Sequence, residues 1–262
     1  MNALNKKRII IVLLLLGWSA VSTAQFSPAT PIAGKQNTQD YIQQNLRYPE
    51  QALESGLSGE VVVAFHLDGQ GQGSGYHVTS SFCEAANASS IDLVRKILWH
   101  PAQENMKPVA TDMEYRIEYK AKSYKRYWRK RERALVPLTL EADTSYCIYD
   151  PYHLEEAAKP YFADGSNMGQ YLLSNLHYPE SAKAGEISGT VRLTFVVEAD
   201  GSISNIVIKE SVGGGCDNEA VRLMQETHWI PAVKNGKYVR SRNEQDITFH
   251  FGARNYQDGN GY

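Results

Sequence analysis

The sequence predicts an α+β protein made of two tandem small domains, each with a three-stranded antiparallel sheet and two helices. Two observations predict this fold class. The chain matches itself at a constant offset of 130 residues, and internal repeats of this kind indicate copies of one unit. Within a copy, apolar residues first alternate as in strands and then recur at helical spacing. Helices and sheet of such a domain bury their apolar faces against each other.

The first elements are clearest in the second copy, over residues 178–251. Pro179 predicts the start of a short helix that ends near Gly185. From Val191 onward every second residue is apolar, which is the period of a half-buried strand. Asp200-Gly201 is a tight-turn signal and predicts a hairpin.

A return strand over 203–208, a second helix and a last strand complete this copy. Pro231 predicts the end of the second helix because it forces the preceding residue into an extended conformation. Asn235-Gly236 then turns the chain into the last strand. The helical spacing is that of Ala220, Leu223, Met224 and Thr227, and the final alternation is that of Ile247, Phe249 and Phe251.

The first copy repeats these signals 130 residues earlier. Tyr48-Pro49-Glu50 precedes Tyr178-Pro179-Glu180 by this offset, and Trp99 precedes Trp229. The predicted domains are 36–122 and 166–252, joined by a basic and then turn-rich linker over 123–165. The glycines of 69–75 weaken the second strand of the first copy, since glycine costs entropy and packs nothing. The first domain is therefore the degenerate copy, and a ligand surface is expected in the second.

The motifs of the second copy resemble, in order and spacing, the C-terminal domain of TonB. They are Tyr178-Pro179, Gly189-x-Val191, Phe195, Asp200-Gly201, Trp229-x-Pro231-Ala232, Asn235-Gly236-Lys237 and the final alternating strand. TonB is the periplasmic energy transducer that contacts outer-membrane receptors. The resemblance implies a protein-binding module linked to TonB-dependent transmembrane transport. It implies neither an enzyme nor a cofactor.

In the resembled family, a short receptor segment adds alongside the strand that follows the second helix. The resemblance places that site here at Glu244, Asp246, Ile247, Thr248, Phe249, His250 and Phe251. Main-chain bonds would supply affinity, and the side chains of Asp246, Thr248 and His250 would supply selectivity from one face. The alternative is that this strand is covered or self-paired, because natural sheets protect their edges.

The expected partners are outer-membrane TonB-dependent receptors or other envelope proteins. A second hypothesis, of another class, is a structural or self-assembling cell-envelope protein with no transport role, in which the edges pair between copies as a homodimer. The sequence leaves open which partner is bound, whether the first repeat binds anything, and whether the protein transduces energy. Only about a dozen residues, without a Pro-rich spacer, separate Ala24 from the first repeat, so an adaptor role is favoured over direct energy transduction.

The first 24 residues predict a secretory signal peptide and hence a periplasmic location. Three basic residues at 6–8 precede an apolar run over 9–16, and Ser22-Thr23-Ala24 is a small-residue cleavage site. The alternative is an uncleaved inner-membrane anchor through residues 9–21. Residues 253–262 are predicted to form a flexible tail.

The balance of charges gives no reason to expect nucleic-acid binding, since 27 basic residues face 29 acidic ones. The stretch from Lys120 to Arg133 is an exception, with eight basic residues and one glutamate. It predicts either contact with an anionic membrane surface or a solvated connector.

Other candidate sites have weak sequence support. Cys83, Cys147 and Cys216 allow one disulfide and one free thiol, or no disulfide. The glycines of 69–75 lack the spacing of a phosphate loop and predict an irregular hairpin turn. His66, His77 and His100 match no metal-ligand spacing, so no metal site is predicted.

Overall fold

The computed structural model describes residues 25–129 and 136–252 of the chain. Within them it contains two tandem copies of a small α+β domain, which confirms the predicted fold class. We call them repeat one and repeat two. The predicted signal peptide, the predicted tail and residues 130–133 of the basic stretch lie outside the described residues. None of the helices described is long and apolar enough to cross a membrane.

Repeat one, with the segment before it, contains eight strands and three α-helices in the described residues. They are β1 (Phe26–Ser27), β2 (Thr30–Pro31), α1 (Gly34–Asn45), α2 (Glu50–Glu54), β3 (Gly59–Leu67), β4 (Gly73–Ser81), α3 (Asn87–Lys96), β5 (Trp99–His100), β6 (Ala102–Glu104), β7 (Lys107–Val109) and β8 (Thr111–Tyr119).

The connecting segment and repeat two supply the remaining elements. They are α4 (Ala121–Arg129), β9 (Ile148–Tyr149), β10 (Lys159–Tyr161), α5 (Met168–Asn175), α6 (Glu180–Ala184), β11 (Gly189–Val197), β12 (Ile203–Glu210), α7 (Cys216–Gln225), β13 (His228–Ile230), β14 (Ala232–Lys234) and β15 (Lys237–Phe249). Short 3-10 turns lie at Glu84–Ala86 and Pro151–His153.

Each repeat is built on three antiparallel strands with the first strand in the middle. Their spatial orders are β4-β3-β8 and β12-β11-β15. Gly59 opposes Tyr119 in repeat one, and Gly189 opposes Phe249 in repeat two. Both positions agree with the 130-residue offset, so the two sheets share one register.

Alternating side chains place the core on one face of each sheet. The inward residues of β3 are Val61, Val63, Phe65 and Leu67, and those of β11 are Val191, Leu193, Phe195 and Val197; all eight are at most 2% exposed. Helices α3 and α7 pack against this face. Because apolar area is removed from water along the whole stripe, this face is the main source of stability in each repeat.

The predicted hairpin turn in repeat two requires glycine for two reasons. Gly201 has a φ of +80°, and a Cβ there would lie 2.4 Å from the carbonyl oxygen of Trp229. The same arrangement recurs in repeat one, where a Cβ on Gly71 would lie 2.3 Å from the carbonyl oxygen of Trp99. Both tryptophans are 5% exposed and belong to the cores of their repeats.

Three local predictions differ from the structure. Helix α7 ends at Gln225, before Thr227, because the next residues pair as β13. The second strand of repeat one spans Gly73–Ser81, so Gly69 and Gly71 belong to the turn and only Gly73 and Gly75 lie in the strand. A helix that the sequence analysis did not predict precedes Tyr48 and Tyr178 in each repeat: α1 and α5.

A segment before each repeat extends the domain beyond the predicted boundaries. In repeat one, β1 and β2 pair with β6 and β5. In repeat two, β10 pairs with β13, and β9 runs parallel to β15. Within the predicted linker, residues 142, 148–149, 156 and 159–161 therefore pair with repeat two. Two-residue and three-residue strands show no periodicity that a sequence could reveal.

The two repeats contact each other through polar groups at the hairpin end of the second sheet. The Asn205 side chain accepts a hydrogen bond from the Leu98 amide at 2.8 Å and donates one to the Lys96 carbonyl at 2.9 Å. Asn205 has a φ of +52°, a conformation that asparagine tolerates better than most residues. Lys96 also forms ion pairs with Asp92 at 3.2 Å and with Asp200 at 3.1 Å.

Candidate functional site

The predicted peptide-binding residues lie at the C-terminal end of β15 and directly after it. Residues 244–249 belong to the strand, whereas His250 and Phe251 follow its end. The side chains of Ile247 and Phe249 are fully buried in the core of repeat two. Those of Glu244, Asp246 and Thr248 are exposed on the outer face of the sheet.

The peptide groups along β15 also alternate in direction, and two anchors show which residues face outward. Tyr238 donates its N–H to Glu141 at 2.8 Å and accepts from the Asp143 N–H at 2.7 Å, on the side away from β11. Phe251 donates its N–H to the Ser188 hydroxyl at 2.9 Å, on the β11 side. The β11–β15 register is unbroken. The even-numbered residues 242–248 therefore direct their N–H and C=O groups to the outer edge.

The connecting segment occupies the first part of that edge. Strand β9 pairs in parallel with Arg240 and Ser241 of β15. It ends before Asp150-Pro151, where the carboxylate of Asp150 lies 3.7 Å from the Arg242 guanidinium. Proline cannot donate a ladder hydrogen bond, so the edge strand stops at this point.

Beyond the 3-10 turn Pro151–His153, which also lies against β15, the rest of the edge is open in the described part of the chain. Within these residues, no strand pairs with the outer side of β15 from Arg242 to Phe249. Unpaired N–H and C=O groups of this kind are a template for another extended chain. The open stretch of 242–248 matches an incoming strand of about seven residues, roughly 23 Å long.

Two of the three exposed polar side chains are already engaged across the sheet. Arg192 of β11 binds Asp246 at 2.9 Å and also contacts Glu210 of β12. Hydrogen bonding and charge attraction from Arg192 lower the pKa of Asp246. The hydroxyl of Thr248 lies 3.0 Å from that of Thr190. Glu244 makes no side-chain hydrogen bond or ion pair within the described residues, so it is the carboxylate most available to a partner.

Sequence reasoning missed the residues that hold the start of β15. Arg240 and Glu198 form a buried ion pair, 5% and 0% exposed at their side chains. The available signal was a charged residue at the end of an alternating apolar run: Glu198 directly follows the run that ends at Val197. The partner of such a residue comes from another strand and is not visible in sequence spacing.

The other candidate residues are dispersed. Cys83, Cys147 and Cys216 are all free thiols. The His66 imidazole bonds the Asp112 carboxylate at 2.9 Å, and that of His77 bonds a backbone carbonyl at the same distance. Across the described residues, no three His, Cys, Asp or Glu side chains are grouped to hold a metal ion.

The basic stretch begins as helix α4, which follows β8. Its Tyr124 packs against the core of repeat one, with its ring 5.1 Å from that of Tyr48. The described part is thus attached to repeat one along one side. Contact of the basic residues with a membrane surface stays a prediction.

Several solved structures are similar to parts of the chain. A solution NMR structure of the TonB C-terminal domain from Pseudomonas aeruginosa is 28% identical, covers 37% of this chain and 89% of that chain, and has a TM-score of 0.27. A solution NMR structure of the TonB C-terminal domain from Helicobacter pylori (residues 194–285) is 23% identical, covers 32% of this chain and 89% of that chain, and has a TM-score of 0.26. No curated protein matches the chain significantly.

A family model of the Gram-negative bacterial TonB protein C-terminal domain matches the chain twice, at residues 44–121 and 174–251. The two matches cover more than half of the chain and coincide with the two sheets described above. That family is associated with TonB-dependent transport in the Gram-negative envelope and with protein interaction, including interaction with outer-membrane receptors. The chain belongs to the TonB C-terminal domain family and carries two copies of its domain.

Proposed function

We propose that this chain is a periplasmic protein-binding module that captures extended segments of outer-membrane receptors, or of another envelope protein, by strand addition. The docking edge is the outer side of β15 from residue 242 to 248. One observation carries the proposal: four successive outward-facing backbone positions on this edge have no partner strand among the described residues. Such an edge binds a peptide through main-chain hydrogen bonds.

Repeat one covers the opposite edge of the same sheet. The Asn37 side chain donates to the Ile206 carbonyl of β12 at 3.4 Å, and Asn205 holds the backbone of residues 96 and 98. With β12 covered in this way, an extended partner has its access to repeat two along β15. This protection leaves one edge for function and fits the general rule that natural sheets cover the others.

The side chains beside the open edge favour a partner with a basic side chain or a hydrogen-bond donor at one position. Glu244 is the available carboxylate, and Arg242 lies at the start of the edge beside Asp150. A partner residue opposite Glu244 gains most if it is basic or a hydrogen-bond donor. Selectivity from Asp246 and Thr248 is weaker, because both side chains already bind residues of β11.

The test compares two substitutions of the same outward-facing residue. Thr248→Pro removes the outward N–H and the side-chain hydrogen bond to Thr190 but no main-chain bond to β11. Thr248→Val retains that N–H and removes only the hydroxyl. Protein spanning residues 25–262 is immobilised, and detergent-solubilised outer-membrane proteins are passed over it. We expect the wild type and Thr248→Val to retain the same TonB-dependent receptors, identified by mass spectrometry, and Thr248→Pro to lose them.

Two results would contradict the proposal. One is equal retention of receptors by a folded Thr248→Pro protein, with folding checked by circular dichroism. The other is recovery of this protein alone, together with a concentration-dependent dimer in sedimentation, which would favour the self-assembling envelope component instead.

A further inference from the structure

Repeat one also has an open edge, on its last strand β8. Within the described residues β8 pairs only with β3, and the register runs unbroken from Leu67 opposite Thr111 to Gly59 opposite Tyr119. This register equals that of repeat two, so the even-numbered residues 112–118 direct their peptide groups outward. No described counterpart of β9 lies beside them. The edge is therefore open over its full length.

A shallow depression of about 280 Å³ lies on the outer face of this sheet, beside the edge. Ala64 stands at its centre, because this small residue opposes His77 of β4 on one side and Glu114 of β8 on the other. The next residue of β3 on this face, His66, opposes Asp112. Four larger polar side chains thus surround one methyl group.

The depression carries negative charge. Asp112 and Glu114 are its carboxylates, and no Lys or Arg is among its lining residues. Asp112 bonds the His66 imidazole at 2.9 Å. Glu114 makes no side-chain hydrogen bond or ion pair with any described residue, and it lies on the open edge.

The residues that line this depression are replaced by others in repeat two. At the 130-residue offset, Thr194 and Val196 replace Ala64 and His66, and both are buried. Arg242 replaces Asp112, so the local charge is also different. This combination of side chains therefore occurs in repeat one and not in repeat two.

We propose that β8 and the adjoining depression form a second docking site, which binds an extended segment whose Lys or Arg side chain enters the depression beside Glu114. A strand added along 112–118 places every second side chain over the outer face. The nearest carboxylates on that face, those of Asp112 and Glu114, favour a cationic side chain on the added strand. This site is independent of the one proposed on β15, and one chain with both sites holds two extended segments at once.

The test uses two labelled seven-residue peptides with blocked termini, one alternating Val and Lys and the other alternating Val and Glu. Their binding is measured by fluorescence anisotropy to protein spanning residues 25–262 that carries Thr248→Pro, so that the site proposed on β15 does not contribute. We expect the Lys peptide to bind at least about tenfold more tightly than the Glu peptide, equivalent to roughly 1.4 kcal/mol. Glu114→Arg should abolish this preference, and Ala64→Leu should reduce it by filling the depression without a change of charge.

Two matched variants show whether the Lys peptide binds at β8 or elsewhere on the protein. Glu54→Arg makes the same change of charge on an exposed helix end and should leave binding unchanged. Glu244→Arg makes the equivalent change on the other repeat and should likewise leave binding unchanged, because Thr248→Pro has already removed strand addition at β15. The proposal is overturned if Glu54→Arg or Glu244→Arg weakens binding as much as Glu114→Arg, or if the two peptides bind equally.

Discussion

One buried guanidinium, that of Arg240, joins three segments of the chain. It forms a two-pronged ion pair with Glu198, with N···O distances of 2.8 and 2.9 Å. It also donates to the carbonyl of Tyr146 in the connecting segment at 3.0 Å and to that of Lys96 in repeat one at 2.9 Å. Arg240 therefore holds β15 to both, immediately before the open edge begins.

We expect Arg240→Met to lower the free energy of unfolding by about 3–5 kcal/mol, because it leaves the Glu198 carboxylate buried without its partner. Urea denaturation measures this effect. Arg242→Met is the matched control on the same strand; its ion pair is exposed, so the cost should stay below about 1 kcal/mol. Replacing Glu198 by Leu together with Arg240→Met should restore part of the loss. Equal costs for the two single substitutions would show that burial of the pair is unimportant.

Individual residues also show how far the sequence can predict this site. The alternation of Ile247 and Phe249 correctly indicated which side chains enter the core, but its third member, Phe251, lies beyond the end of β15 and is 46% exposed. The same alternation indicated that Asp246 is exposed, but not that Arg192 binds it. Cross-strand partners depend on register, and register depends on how the whole sheet pairs.

At the scale of elements, periodicity revealed the long strands and the tight turn. Strand β4 forms despite its glycines, since its neighbour β3 and helix α3 supply the packing. Strand β9 was missed because Ile148 and Tyr149 are too few to show a period. Helix α5 did carry a local signal, the reciprocal capping of Asn167 and Gln170, which the sequence analysis did not use.

The peptide groups of β15 point alternately towards β11 and towards the open edge. Proline should therefore lower stability strongly at one position and weakly at the next. Ile247→Pro removes an N–H that bonds β11 and also replaces a fully buried side chain. We expect it to lower the free energy of unfolding by at least about 3 kcal/mol. Thr248→Pro, whose N–H faces the open edge, should cost about 1 kcal/mol or less.

Thermal unfolding followed by circular dichroism distinguishes these two outcomes, with Thr248→Val as the reference for the lost hydroxyl. A Thr248→Pro protein as unstable as Ile247→Pro would mean that the outward direction of residue 248 is wrong. The peptide-capture experiment could then not be interpreted, so this measurement comes first.

At the scale of the molecule, repeat one acts as a cover for repeat two. Tyr146 of the connecting segment reinforces the contact: its hydroxyl donates to Asp92 at 2.6 Å, and its ring lies 4.9 Å from the Arg95 guanidinium. Asn205, Lys96 and Arg240 complete a polar interface between the copies. An interface of matched hydrogen bonds fixes orientation more than it adds stability. The two open edges, on β8 and β15, are consequently held in a fixed relation to each other.

The Lys96–Asp200 ion pair makes this interface sensitive to acid. Burial alone would raise the pKa of Asp200, but attraction to Lys96 and hydrogen bonds from Ser202 lower it below its usual 3.8. A carboxylate whose pKa is lower in the folded state adds stability above its usual pKa. That stability is lost as the pH falls from about 4 through the folded-state pKa.

We therefore expect wild type to be more stable than Asp200→Asn at pH 6, by roughly 0.5–1 kcal/mol, since the carboxylate is partly exposed to solvent. The difference should shrink towards zero between pH 4 and pH 2.5. Urea denaturation of both proteins across this range measures the difference.

Asp246→Asn is the matched control, because the pKa of Asp246 is also lowered, by Arg192 within repeat two. Loss of the Asp246 carboxylate should leave the contact between the repeats intact. Amide hydrogen exchange at Leu98, whose N–H bonds Asn205 across that contact, should therefore speed up in Asp200→Asn only. A stability difference for Asp200→Asn that stayed constant down to pH 2.5 would show that the charge of Asp200 does not stabilise the interface.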